Sequence, residues 1–456
     1  MTFTTTSTST TTSTSTVPER HTKLAMTVLE PGICACSTSG VLKCWGANDD
    51  GRLGYGDSKH RGNGPSEMGD DLPAVQLGAG RTCVDVAAGH DHFCTLLDNA
   101  AVKCWGLTQH GRLGYEDTTD RGTASGGQMG DALPAVDLGD NCRPVQVSIA
   151  IHHSCVLCEG GSVKCWGASS RSCLATQHGH AQSTMGNNLP TLNFGTGKSV
   201  VSLNSGAYHL CVVLSDGTMK CCGNNEKGCL GYGDLLARSA GDDLPAVDVG
   251  GTAVVEAYAG LDRTFFLSTD GEVRGMGRND DNPGNLGYSD STDRWSAGDA
   301  LPAISVGSGV IVGGGFHHRD AQCLIFSTGG LKCFGYNVYG YEDTTTRSGN
   351  HPGTLDANLP FVDVGQDVSY VALSASNGDP GVVCVVLVDN SIKCWGESTV
   401  TGFGYGDVVS RGTSPGTMGD ALPNINLGAS FLLTTSTSTS TSSSTSTSLT
   451  STSTTT

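Results

Sequence analysis

Val102-Lys103-Cys104-Trp105-Gly106, with Gly111-Arg112-Leu113-Gly114-Tyr115 close behind it, is the stretch that decides the fold, because the chain keeps restating it. The tetrapeptide Lys-Cys-Trp-Gly, or a close variant, begins at Lys43, Lys103, Lys164, Lys220, Arg274, Lys332 and Lys393. The steps between these starts are 60, 61, 56, 54, 58 and 61 residues. Self-similarity at a nearly fixed period marks a solenoid, propeller or array and takes precedence over residue-by-residue readings.

Working outward, the same unit holds Leu72-Pro73-Ala74-Val75-Gln76-Leu77-Gly78, then Val84 to Gly89, then Cys94-Thr95-Leu96-Leu97 and a turn at Asp98-Asn99. These short apolar pieces, bounded by Gly, Pro, Asn or Asp, read as strands with turn punctuation. No stretch sustains a helical period. Four short strands make one small antiparallel sheet, the size of a propeller blade. The expectation is therefore an all-β, seven-bladed β-propeller of four-stranded antiparallel blades. Domain bounds follow: a Thr/Ser-rich tail at 1–22, the propeller at 23–433 and a second Thr/Ser-rich tail at 434–456, both tails of disordered composition. The Leu-Pro segment recurs at Leu72, Leu133, Leu189, Leu244, Leu301, Leu359 and Leu422. None precedes Lys43 and no tetrapeptide follows Leu422, so the C-terminal strand is expected to complete the first blade and hide its edges.

Several residues make this chain resemble the chromosome-condensation-regulator repeat family. They are the run Gly89, His92, Cys94; the Asp-Gly hairpins at Asp216-Gly217 and Asp270-Gly271; the Trp-Gly pairs at Trp45-Gly46, Trp105-Gly106, Trp166-Gly167 and Trp395-Gly396; and the loop from Gly51 to Asp57. The likeness spans roughly residues 24–433. It implies a seven-bladed propeller. It leaves function open, since such propellers serve as exchange factors for small GTPases, as substrate modules of ubiquitin ligases and as a secreted inhibitor of β-lactamases.

Nineteen cysteines carry a second pattern. Twelve fall into pairs ten apart: Cys34 and Cys44, Cys94 and Cys104, Cys155 and Cys165, Cys211 and Cys221, Cys323 and Cys333, Cys384 and Cys394. Each pair flanks a hairpin turn, where directly opposed residues approach to about 4.5 Å between Cα atoms, near disulfide range. In the fifth repeat the matching residues are Phe265 and Gly275, so both cysteines are lost together. Two readings stand: disulfides stapling each blade internally, or small buried hydrophobes. Cys36, Cys83, Cys142, Cys158, Cys173, Cys222 and Cys229 remain, an odd number that leaves at least one unpaired within the chain. Cys155 and Cys158 stand near His152 and His153, but the pairing of Cys155 with Cys165 argues against a metal site.

Oxidised cysteines would imply an extracellular or lumenal setting. The N-terminus lacks the basic start and apolar core of a signal peptide, which with the family resemblance points to the cytoplasm instead. No run reaches the length of a membrane span. The net charge of −18 argues against nucleic acid as a partner. The basic residue opening each tetrapeptide is read as solvent-facing. An Asp and an Arg four apart recur in six repeats, from Asp57 and Arg61 to Asp407 and Arg411, which suits a loop-ordering ion pair. Asn48-Asp49-Asp50-Gly51 lacks the later Glu of a calcium loop and reads as a turn.

No nucleophile elbow, phosphate loop or zinc motif is found, and no catalytic residue, cofactor or metal is assigned. The expected function is a non-catalytic protein-interaction module that binds a partner protein through loops on one face, as a monomer. The alternatives are exchange on a small GTPase and a secreted or surface binder. The candidate interface residues are Trp295, His317 and His318, because they break the repeat.

Overall fold

A computed structural model of the chain describes residues 22–27, 31–123, 128–169, 172–279, 285–298, 301–316, 321–335, 340–342, 355, 359–374, 381–397 and 402–431. These residues form seven antiparallel sheets and no α-helix. The first blade is β1 (Lys23–Met26), β2 (Gly32–Cys36) and β3 (Leu42–Gly46), and the second is β4 (Cys83–Ala88), β5 (His92–Leu97) and β6 (Val102–Gly106). The third holds β7 (Pro144–Ile149), β8 (His153–Cys158), β9 (Val163–Gly167) and β10 (Thr191–Leu192). The fourth holds β11 (Val200–Ser205), β12 (His209–Leu214) and β13 (Met219–Gly223). The fifth is β14 (Val254–Ala259), β15 (Arg263–Ser268) and β16 (Val273–Gly277), and the sixth is β17 (Ile311–Phe316), β18 (Ala321–Phe326) and β19 (Leu331–Gly335). The seventh is β20 (Val368–Ser374), β21 (Val382–Leu387) and β22 (Ile392–Gly396).

The first strands of the blades neighbour one another in ring order, and β20 adjoins β1. The second strands are buried along their whole length, because each faces a neighbouring blade on both sides. A separate apolar cluster fills each junction. Repetition, and not growth of one core, thus accommodates a chain this long.

The blades are assembled differently from the sequence expectation. Each Leu-Pro segment lies on the third strand of the hairpin before it: Val75 N–H donates to the Leu42 carbonyl at 2.8 Å, Val136 to Val102 at 2.8 Å, and Ile425 to Ile392 at 2.7 Å. The C-terminal segment therefore belongs to the seventh blade and does not complete the first. Among the described residues the segment forms a ladder strand in the third blade alone, β10 against β9; the other six sheets have three ladder strands there. The reason lies at the outer edge of the third strand. In the first blade Cys44 N–H donates to the Tyr55 hydroxyl at 3.0 Å, which in turn donates to the Cys44 carbonyl at 2.9 Å. Gly46 exchanges backbone hydrogen bonds with Arg61. With the Leu42 carbonyl bound to Val75, most of the outward edge of β3 is partnered without a continuous fourth strand, which protects the edge. Tyr115, Tyr232, Tyr288, Tyr341 and Tyr405 repeat the double bond to the third strand.

The recurring Asp and Arg order the same loop. Arg61 reaches Asp57 at 2.8 Å, and its guanidinium lies 4.2 Å from the Tyr55 ring centre. Arg238, Arg294 and Arg411 repeat both contacts, as does Arg121. Asp343 and Arg347 lie outside the described residues. The Asn48 amide, bonded to Asp57, Lys59 and Leu53, is a turn brace.

Five of the seven basic residues of the tetrapeptide are not solvent-facing. Lys43, Lys103, Lys164, Lys332 and Lys393 are buried. Lys103 Nζ donates to the Leu77 carbonyl of the preceding blade at 2.9 Å and to Gly130 at 2.7 Å. Lys43 makes the same contact to Leu427, at 2.8 Å, and to Gly69. The segment of the seventh blade thus serves the first blade as the segment of the first serves the second. Burial lowers the ammonium pKa of these lysines, partly offset at Lys43 by Asp70 and at Lys103 by Asp131. Carbonyl partners offset the desolvation of each cation.

The repeat tryptophans lie in the same junctions. Trp45, Trp105, Trp166 and Trp395 are fully buried. The indole N–H of Trp105 donates to the Arg52 carbonyl at 2.8 Å, and that of Trp45 to Phe403 at 2.9 Å, one blade back in each case. The glycine after each tryptophan has positive φ, and a Cβ at Gly46 would meet the Pro31 carbonyl at 2.0 Å. Only glycine fits such a site. Gly106, Gly167 and Gly396 meet equivalent carbonyls.

The ten-spaced cysteines stand directly opposite in register, Cys34 to Cys44 and Cys94 to Cys104 among them. Their Cα atoms are 4.1 Å apart in both pairs. Cys155 and Cys165, Cys211 and Cys221, Cys323 and Cys333, and Cys384 and Cys394 match them, each pair with its sulfurs within bonding distance. In the fifth blade Phe265 faces Gly275, and a Cβ on Gly275 would lie 2.6 Å from the phenyl ring. One large ring over a glycine fills the place of two cysteines, so the two positions change together. Three further pairs lie within bonding distance: Cys36 with Cys83, Cys142 with Cys158, and Cys173 with Cys222. The first and last of these run between blades, a role not expected for any cysteine here. Cys229 is unpaired and buried, with its thiol pKa raised by desolvation.

Candidate functional site

On one face of the ring a tight turn joins the first and second strands of the second, third, fourth and fifth blades. His92, His153 and His209 open the second strand at equivalent positions and are buried. His92 Nε2 meets Ser154 Oγ at 3.1 Å, and His209 Nε2 meets Thr264 Oγ1 at 2.8 Å, so each ties its turn to the next blade. A Cβ at Gly89 would come within 2.4 Å of the His92 ring, which explains the glycine before it. These histidines are packing residues, and burial holds the His153 pKa down at about 4.

Above this uniform base the side chains diverge. The residue just before the second strand is Pro31, Asp91, His152, Tyr208, Asp262 or Gly381 in the described blades. Connector residues rise beside these turns, and over the first four blades they build one cluster. Asp91 is at its centre. His90 Nδ1 hydrogen-bonds to Asp91, Arg52 Nη2 lies 3.1 Å from it, and Arg112 Nη2 is 3.9 Å away. Burial alone would raise the Asp91 pKa. The His90 bond and the Arg52 and Arg112 charges outweigh it and hold the carboxyl below its ordinary range.

Arg112 is 0 % exposed. Its Nε donates to Leu107 at 2.7 Å and its Nη1 to Ile151 at 3.0 Å, while Nη2 donates no hydrogen bond. His152 packs over this arginine, with its ring centre 6.3 Å from His90, 5.5 Å from His110 and 6.5 Å from the Tyr208 ring. Its buried Nδ1 is also without a partner. Desolvation, reinforced by Arg112, His110 and His90, lowers the His152 pKa to about 4. Three imidazoles thus come together over two buried guanidiniums. None of the three was a candidate from sequence. His110 lies in a connector and His90 in a turn, so only the ring brings them together.

Trp295 is 44 % exposed. Its carbonyl accepts from Gly233 N–H at 2.8 Å, and its ring covers Gly228, where a Cβ would come within 2.4 Å. It therefore packs on the connector of the fourth blade, not on its own. His317 and His318 lie outside the described residues. No group of three or more His, Cys, Asp or Glu able to hold a metal occurs among the described residues, and no described helix is long and apolar enough to cross a membrane.

Two family models for the Regulator of chromosome condensation (RCC1) repeat match the chain, over residues 39–96 and 200–229. A solved structure, Kap60 bound to yeast RCC1 (Prp20), superposes with a TM-score of 0.55 at 17% identity, covering 76% of this chain and 77% of that one. The chain is an RCC1-type repeat protein. It is 27% identical over 377 residues to the ultraviolet-B receptor UVR8 of Arabidopsis thaliana, covering 82% of this chain and 77% of the receptor. It is 26% identical over 250 residues to the E3 ubiquitin-protein ligase HERC2 of Homo sapiens, where it spans 54% of itself and 5% of the ligase. These RCC1-like relatives support a regulatory module of the protein-interaction or exchange-factor kind. The structural likeness, at this identity, shows the fold alone.

Proposed function

We propose that this RCC1-type chain is a non-catalytic regulatory propeller that binds a partner protein through the turns and connectors around Asp91. One observation carries the reading. Inside the ring the same residues recur blade after blade, whereas at this face Asp91, His152 and Tyr208 occupy one position on an otherwise constant scaffold. Variable polar side chains on rigid turns are how a propeller presents a binding surface. The test is capture of partners with the whole chain and with a His110→Glu, Tyr208→Ala double variant. Loss of the same partner with an unchanged melting temperature supports the face. Retention of every partner moves binding elsewhere. Faster release of labelled nucleotide from a small GTPase would instead make the chain an exchange factor.

A second reading rests on the cysteines. Nine pairs stand within bonding distance. Their oxidation would make this a secreted or surface binder with stapled blades. Intact mass after alkylation, with and without prior reduction, decides it. Eighteen protected cysteines support the extracellular reading, and nineteen reactive ones in the unfolded, unreduced chain place the pairs as core packing.

A further inference from the structure

The cluster over Arg112 has a property that its neighbours do not offset. Arg52 is balanced by Asp50 at 3.0 Å and by Asp91. Asp91 is shared with His90 and Arg112, so one carboxylate serves three basic groups. Of the other acids near Arg112, Asp50 is paired with Arg52, and Asp120 accepts the Thr108 N–H at 2.8 Å. The Nη2 group of the fully buried Arg112 remains without an acceptor, directly under His90 and His152. His110 is exposed and His90 is 24 % exposed. Facing them are Arg52 and Asp50 from the first blade, Asp91, His92, Arg112 and Asp120 from the second, His153 from the third and Tyr208 from the fourth.

Resting on the reading that this face binds a protein, we propose that it receives a carboxylate-rich segment of the partner, with His90, His110 and His152 taking up protons as the acid docks. Charge complementarity is local. The chain as a whole, at −18, repels an acidic partner at neutral pH. Protonation of three clustered imidazoles adds positive charge at one spot, over an arginine that already lacks an acceptor. Desolvation chiefly holds His152 neutral in the free protein, and a carboxylate seated among the rings offsets the repulsion from Arg112, His110 and His90 that adds to it. Binding therefore favours the protonated form of His152, is strongest at low pH and is lost as the pH rises through the imidazole range.

The probe is a fluorescein-labelled octaglutamate peptide, with anisotropy measured on the full chain at about pH 5.5 and about pH 7.5, either side of the ordinary histidine pKa. The expected result is binding about tenfold tighter at the lower pH, as a few surface charge pairs together provide. A His90→Gln, His110→Gln, His152→Gln variant keeps ten of the thirteen histidines. A mere change in net charge would therefore survive in it, and the proposal requires that the pH dependence collapse. The single His110→Gln variant, at an exposed position, guards against misfolding and should lose part of the effect. Equal affinity at both pH values, or an unchanged pH dependence in the triple variant, overturns the proposal. So does an oligothymidylate that displaces the peptide at equal charge, since nucleic acid would then be the acidic ligand. Partner capture at neutral pH that survives these histidine substitutions but fails in the Tyr208→Ala variant would leave protein binding at this face intact and sink only the carboxylate assignment.

Discussion

Blades one to four and blades five to seven are built on one plan yet are held together differently. The first four carry seven of the nine close cysteine pairs, including the two that cross between blades, Cys36 with Cys83 and Cys173 with Cys222. The last three carry two, both inside a single hairpin, and the fifth blade substitutes Phe265 over Gly275. All seven junctions share the apolar cluster, and most described ones share the buried lysine as well. Packing is therefore sufficient to seat a blade, and the added pairs mark where the ring is most constrained. That half also carries the Asp91 cluster, whose residues come from four blades and need fixed relative positions. On the proposed reading, the constrained half is the binding half.

The largest expected effect tests the packing half of that comparison. Trp45→Ala empties the junction between the seventh and first blades and should cost about 3–5 kcal/mol, read as a fall in denaturant midpoint. Trp105→Ala, in the junction that also holds Cys36 and Cys83, should lower the midpoint less in oxidised than in reduced protein. Equal losses under both conditions would break the comparison.

Next comes the cross-blade pair itself. If oxidised, Cys36 and Cys83 close a loop with a sequence separation of 47, against 10 for Cys323 and Cys333. Replacing both members of each pair by serine should destabilise by about 4 and about 3 kcal/mol at most, in that order, under non-reducing conditions. Identical melts for both variants and the parent would show that the thiols are reduced.

Lys103→Met sharpens the shared part of the plan. It leaves the Leu77 and Gly130 carbonyls without their donor, and a loss of about 1–3 kcal/mol is expected. Stability unchanged by this substitution would refute the role of the buried lysine as an inter-blade tie.

The smallest effect concerns the connectors. The Arg61 hydrogen bond lowers the Asp57 pKa, and Arg238 lowers that of Asp234 to about 2. A carboxyl depressed in the folded state contributes stability above its unfolded pKa and loses it as the pH falls through the folded value. Melting temperature should therefore decline from about pH 4 down to about pH 2. Because these pairs stay in partial contact with solvent, Asp234→Asn should change stability by no more than about 1 kcal/mol at neutral pH.

Much of the architecture was legible in the chain because repetition multiplies a weak local signal. The ten-residue spacing set Cys34 against Cys44, and the joint change to Phe265 and Gly275 marked the positions as partners. The recurring Asp57 and Arg61 pattern gave the loop pair, though not the stacking of Arg61 on Tyr55. Lys103 was misread as exposed, since alternation along one strand does not reveal the carbonyls of a neighbouring blade. The hairpin to which a Leu-Pro segment attaches was equally invisible, because the segment lies between two hairpins in sequence and suits either. His90, His110 and His152 gave no motif at all.

What the sequence determined by itself was the repeated unit: its hairpins, its glycine turns, its cysteine register and the number of blades. Those depend on residues a few positions apart, where backbone geometry and side-chain size leave little choice. The tertiary structure decided how units join, with Lys43 reaching Leu427 and Trp45 reaching Phe403 across the ends of the chain, and which polar residues meet above Asp91. Such contacts are set by the angle at which whole sheets pack, and residues from four blades become neighbours only when that angle carries the ring around.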